Sequence, residues 1–96
     1  MIAFRFAVSD PRRTRARAQL HDAHKKHIAD APFEILMSGP AFQEGSDATT
    51  AALLIANVAT LAELDSFNLT DPYVKSGVYI KTWILEWKNS KILRII

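Results

Sequence analysis

The sequence contains no cysteine. That excludes disulfides, thiolate catalysis and cysteine metal sites. Glycine is almost as scarce, at three residues in ninety-six. No Gly-rich loop of the kind that cradles phosphates is present, so a nucleotide cofactor is not expected. No apolar run is long enough to span a bilayer. The N-terminal stretch carries Arg5 among its apolar residues and arginines after them, the wrong polarity for a secretory leader. The expectation is a cytoplasmic protein with no membrane partner. Excess charge is also lacking, with twelve Lys and Arg against ten Asp and Glu, a formal net charge of +2. Half of the cations fall within residues 11–31, as Arg12, Arg13, Arg15, Arg17, Lys25 and Lys26. No aromatics or known motif accompany them, so they read as a solvated helix face and not as a nucleic-acid surface.

What is abundant is apolar side chain, 49% of the residues. One domain of 96 residues is too small to hide that much in its own core, which points to burial against a second copy.

Along the chain, Ile2, Phe4, Phe6 and Val8 alternate with Ala3, Arg5 and Ala7, the period of a strand. Asp10-Pro11 reads as a capped helix start, and the helix runs to about Ala31 before Pro32. Arg13, Arg17, Leu20, His24, His27, Ile28 and Ala31 fall on one face of it. That face holds few aliphatics for an inner one. Residues 33–38 form a second strand, broken by Gly39-Pro40, and 43–50 a polar loop. Residues 51–59 are almost continuously apolar, as in a central strand buried on both faces. Thr60-Leu61-Ala62-Glu63 fits a capping box and opens a short helix to about Asn68. Asp71-Pro72 starts one more turn, ended at Gly77. Val78–Trp87 is the last core strand, with Tyr79, Trp83, Leu85 and Trp87 sharing a face. Asn89-Ser90 is a turn, and 91–96 an apolar arm or extra strand. The chain is therefore expected to be one domain, 1–96, with a core of 1–88 and a terminal arm.

The order βαββαβ is that of an α+β ferredoxin-like sandwich, two helices on one face of a four-stranded antiparallel sheet. An aromatic-rich opposite face would be a large exposed patch. A second copy packed on it would give a dimeric α+β barrel, so the expected partner is the chain itself, as a homodimer or a higher assembly of dimers.

Three features carry a resemblance to the YciI-like (YCII-related) family of small dimeric α+β-barrel proteins. They are Asp71-Pro72-Tyr73-Val74 with Gly77-Val78-Tyr79, Gly39-Pro40 after strand 2, and His24 with Ile28 one turn on and Arg17 two turns back. The resemblance spans strand 1 to about Trp87. It implies a His–Asp pair in a pocket between helix and sheet, matched here by His24 and Asp71. One branch of that family dehydrochlorinates an aromatic ring compound. Lys25, His27 and the 89–96 tail depart from its usual pattern.

Each candidate also has a plain structural role. Asp71 before Pro72 is an ordinary N-cap, a duty compatible with orienting an imidazole. His24 is either a partly buried, hydrogen-bonded histidine or a proton shuttle near neutrality. Arg17 is either a snorkelling surface side chain or a clamp for an anionic substrate. Tyr73 either packs or donates a hydrogen bond to a ligand. His21, His24 and His27 fan across about 120° of helix and lack the acidic or cysteine companions of a metal set, so no metal is expected.

The expected function is metal-independent acid–base chemistry on a small organic acid or ring compound, by proton transfer, elimination or isomerisation. A non-catalytic ligand-binding dimer of the same fold is the alternative. A monooxygenase-like enzyme of the same fold is a third, and it would not need His24 and Asp71 to meet.

Overall fold

The computed structural model describes residues 1–88. Their order is β1 (Ile2–Ser9), α1 (Thr14–Ala29), β2 (Glu34–Phe42), β3 (Thr49–Asn57), α2 (Leu61–Thr70), α3 (Pro72–Lys75) and β4 (Tyr79–Glu86). The four strands make one antiparallel sheet in the order β2-β3-β1-β4. This is the expected ferredoxin-like topology, with α3 as a single added turn. The arm expected at 91–96 lies outside the described residues. No helix among the described residues is long and apolar enough to cross a membrane.

The helices cover the small-residue face of β1, not its aromatic face. Ala3, Arg5, Ala7 and Ser9 are buried, while Ile2, Phe4 and Val8 are half-buried and Phe6 is exposed. Small side chains there let the helices approach. One core cluster joins Ala3, Leu54, Ala56 and Val58 to Leu64 and Phe67 of α2. A second joins Ala7 and Ala52 to Tyr73, Val78 and Tyr79, with Ala16 and Leu20 of α1 leaning on it.

Several local expectations are corrected. The helix begins at Thr14 and not at Pro11, because Asp10 spends its carboxylate on a turn. Its Oδ1 accepts from the Arg12 amide at 2.9 Å, the Arg12 side chain closes on it, and Arg13 becomes an uncapped N-cap. Arg13 is exposed instead of facing inward. Gly39-Pro40 does not end β2, which runs to Phe42. As an edge strand it tolerates a residue with no N–H to give. β3 is covered on one face only, leaving Leu53 exposed on the other. α2 extends to Thr70 and buries Asn68, so the Asn68-Leu69-Thr70 sequon is no accessible acceptor.

Two register shifts matter for the site. Ile35 opposes Ala56 while Met37 opposes Ile55, so Leu36 is an extra residue in β2. Beyond it, Ser38 and Pro40 pair with Leu54 and Ala52 and share the helix-side face. In β4, Val8 opposes Lys81 but Ser9 opposes Tyr79. That slip turns Tyr79 to the helix side, away from the face of Trp83, Leu85 and Trp87 where simple alternation puts it. Re-aiming a side chain is what a bulge does.

Half of the expected capping box forms, with Glu63 N donating to Thr60 Oγ1 at 3.3 Å, while Glu63 Oε2 reaches one residue further back and accepts from Ala59 N at 2.9 Å. Core and surface leucines of α2 should separate cleanly. Leu64 is fully buried and Leu69 is 61% exposed. In urea unfolding, Leu64→Ala is expected to cost about 2–5 kcal/mol, and Leu69→Ala to stay within about 0.5 kcal/mol.

Candidate active site

The site grows from Asp71, whose side chain is wholly buried between α2 and α3. Proline at the next position and the tight α3 turn fix its backbone. Gly77, at φ +78°, then lets the chain swing into β4. Both carboxylate oxygens are engaged. Oδ1 accepts from the Tyr73 amide at 2.9 Å and from His24 Nδ1 at 2.8 Å. Oδ2 accepts from Arg5 Nη1 at 2.8 Å. Asp71 is thus the expected N-cap and a partner of His24 at once.

Burial alone would push the Asp71 carboxyl up. The His24 hydrogen bond and charge, the Tyr73 amide and the Arg5 guanidinium outweigh it and hold the group below its ordinary value.

Arg5 is 2% exposed and has a second acceptor, Asn68 Oδ1 at 3.3 Å. Asn68 in turn donates to Thr82 Oγ1 at 3.0 Å. One polar chain, Thr82–Asn68–Arg5–Asp71–His24, therefore links β4, α2, β1 and α1. The Arg5 guanidinium lies 5.3 Å from the Tyr79 ring centroid and 5.8 Å from that of Phe67. Its Nε has no hydrogen-bond partner among the described residues, and the flanking aromatic faces partly offset that cost.

The carboxylate accepts at His24 Nδ1, so that nitrogen carries a proton. Nε2 has no protein partner among the described residues. The His24 ring stacks on Tyr73, with centroids 4.0 Å apart and planes 10° from parallel. Tyr79 meets it edge-on at 6.0 Å. Tyr73 commits its hydroxyl to the Arg17 carbonyl at 3.1 Å. Arg17 donates to Ser9 Oγ at 2.9 Å and rests its guanidinium 5.0 Å from the Tyr73 centroid. Burial pushes both phenols, Tyr73 and Tyr79, above the usual tyrosine value.

His24, Tyr73, Tyr79, Arg17 and Arg5 line a cavity of about 530 Å³ between α1 and the β2–β3 half of the sheet. That is the size of a small-ligand pocket. Arg17, His21, His24, Lys25 and Ile28 come from α1, Ser38 and Pro40 from β2, and Ala52 from β3. The lining contains several basic groups and no carboxylate.

The structure thus brings together all four residues singled out in the sequence, His24, Asp71, Arg17 and Tyr73. It adds Arg5 and Tyr79, which sequence reading missed. A lone arginine between two alanines on a strand face could have signalled Arg5. Nothing in the alternation could have signalled Tyr79. The three helix histidines diverge. His21 lies 3.4 Å from the Tyr73 hydroxyl, His24 meets Asp71, and His27 donates from Nε2 to the Phe67 carbonyl at 2.8 Å.

No protein-family model matches the chain, and no curated protein matches its sequence. Among solved structures it is similar to the 5-chloro-2-hydroxyhydroquinone dehydrochlorinase TftG of Burkholderia phenoliruptrix AC1100, in complex with 2,5-dihydroxybenzoquinone. The TM-score is 0.82 at 23% identity, over 94% of this chain and 96% of that one. At that identity the likeness is one of fold.

Arg5→Leu is expected to lower stability by about 3–5 kcal/mol, because it strands a buried carboxylate. Arg5→Leu with Asp71→Leu should lose less than the two single changes summed. Asp71 titrates lower folded than unfolded, where it sits near 3.8. Its contribution is therefore complete above about pH 4 and lost as pH falls through the folded value. Thermal melts from pH 5 to pH 2 should show a wild-type loss that Asp71→Asn lacks.

Proposed function

We propose that the chain is a YciI-like acid–base enzyme acting on a small oxygenated ring compound or organic acid, with His24 as proton carrier and Asp71 as its anchor. One observation carries the reading: His24 Nδ1 sits 2.8 Å from a buried carboxylate at the wall of a cavity, with Nε2 unpartnered. In that state Nε2 offers a lone pair to a ligand proton. Asp71 holds the ring in the required tautomer and stabilises the imidazolium that follows. Arg17 is the group suited to an anionic oxygen, because it has no carboxylate within 4.0 Å among the described residues. Tyr73 acts here by its ring, which sets the plane of His24, since its hydroxyl is already engaged.

Returning the proton to another carbon gives isomerisation, and expelling a leaving group gives elimination. The fold shared with a dehydrochlorinase supports the second outcome. The His24–Asp71 contact supports this reading over a monooxygenase-like enzyme, which would not require it. The chemistry is assigned to side chains alone, in a cytoplasmic protein.

We further read the open sheet face as the seat of a second copy. Phe6, Leu53, Trp83, Leu85 and Trp87 are all exposed there in the single chain. A contiguous apolar face of this kind marks an interface.

The test is turnover of chlorinated and unchlorinated hydroxyhydroquinones, followed by chloride release and ultraviolet absorbance. His24→Ala should lower kcat by about 10²-fold or more, and Asp71→Asn should lower it as well. Wild-type rates in His24→Ala would end the catalytic assignment. Ligand binding that survives loss of both residues, with no turnover by the wild type, would leave a binding module. By light scattering, the wild type should have the mass of a dimer and Phe6→Glu with Trp83→Glu that of a monomer.

A further inference from the structure

Of the two tyrosines beside His24, only Tyr79 keeps its hydroxyl uncommitted. Tyr73 donates to the Arg17 carbonyl. Tyr79 is 5% exposed, and no protein group among the described residues bonds its Oη. Nor is that oxygen sealed in. Arg5 Nε is the one buried side-chain nitrogen or oxygen without a partner among the described residues. The Tyr79 hydroxyl must therefore reach open space, and the space its ring lines is the cavity. A polar atom in this position is satisfied by water or by a ligand.

Arg17 fronts the same space. Its guanidinium lies 5.9 Å from the Tyr79 ring centroid and keeps donors beyond the one given to Ser9. The His24 ring meets the Tyr79 ring at 88°. A base and two uncommitted donors therefore converge on one volume.

We propose that Tyr79 is a catalytic hydrogen-bond donor whose hydroxyl, together with the Arg17 guanidinium, receives the oxyanion formed when His24 deprotonates the saturated carbon beside the carbonyl of an oxygenated ring. The proposal rests on the reading of His24 as a base. The step balances. His24 Nε2 takes the proton of a C–H next to a carbonyl, the C–H pair becomes the new C=C bond, and the carbonyl π pair moves onto oxygen. No oxidant or other reactant is needed. The enolate oxygen then accepts from Tyr79 Oη–H. The upward push that burial gives the phenol keeps its proton in place as a donor at neutral pH. Donors set where charge develops act on the transition state more than on the bound substrate.

The test uses 4-nitrophenol, whose ionised form absorbs visible light and which offers no C–H for His24 to take. Binding is titrated across pH for the wild type and for Tyr79→Phe and Tyr73→Phe. The wild type should prefer the phenolate to the neutral phenol. Tyr79→Phe should weaken phenolate binding by about tenfold or more, the value of one hydrogen bond to a charged group. Binding of the neutral phenol should change little. Tyr73→Phe, which keeps the ring that stacks on His24, should keep the phenolate preference, which guards against a mere packing effect of losing a hydroxyl. An unchanged phenolate affinity in Tyr79→Phe, or a wild type without the preference, overturns the proposal. Tyr79-dependent phenolate binding in a protein whose turnover ignores His24 would keep the receptor and remove the base.

Discussion

Asp71 is the constraint from which the site follows. A carboxylate with no solvent contact cannot stay ionised without donors on every side. Here they come from three places: a backbone amide two residues on, an arginine on the central strand that is itself held by Asn68 of α2, and a histidine on the opening helix. Removing any one leaves charge stranded in low dielectric. The same demand explains why Arg5 lies inside a strand face whose flanking residues are the alanines Ala3 and Ala7. It also explains why one of the α1 imidazoles at the cavity wall is tied to a carboxylate.

Much of this was legible from the chain, and the limits of that reading have a physical cause. Strand alternation, the Thr60–Glu63 capping box and the Asp71-Pro72 turn describe local chemistry, and local chemistry is written in sequence. The common face of Arg17, His24 and His27 likewise followed from helical period. What could not be read was which face of β1 points inward. The aromatic side looks like a core, yet the helices lie on the alanine side. Arg5 was passed over as a site residue for that reason.

Tyr79 was hidden by a different cause. Simple alternation groups it with Trp83, and one extra residue in β4 reverses it. The Leu36 insertion does the same for Ser38 and Pro40. Both shifts depend on how neighbouring strands pair, which no single strand encodes. Both also act at the cavity, so the departures from regular geometry gather where ligand-facing side chains are needed. The fold survives at 23% identity with TftG because it needs only the alternation and the turns.

The opening helix sits shallowly on the sheet. None of its residues is fully buried, and it reaches the strands through a few side chains such as Ala16, Leu20 and Ile28. The ring stack and the imidazole–carboxylate contact add to that seat, and they are the very groups assigned to chemistry. A guest in the cavity would therefore act as missing packing for this segment, stiffening it on arrival and loosening it on departure. Occupancy and rigidity would then be two readouts of a single equilibrium.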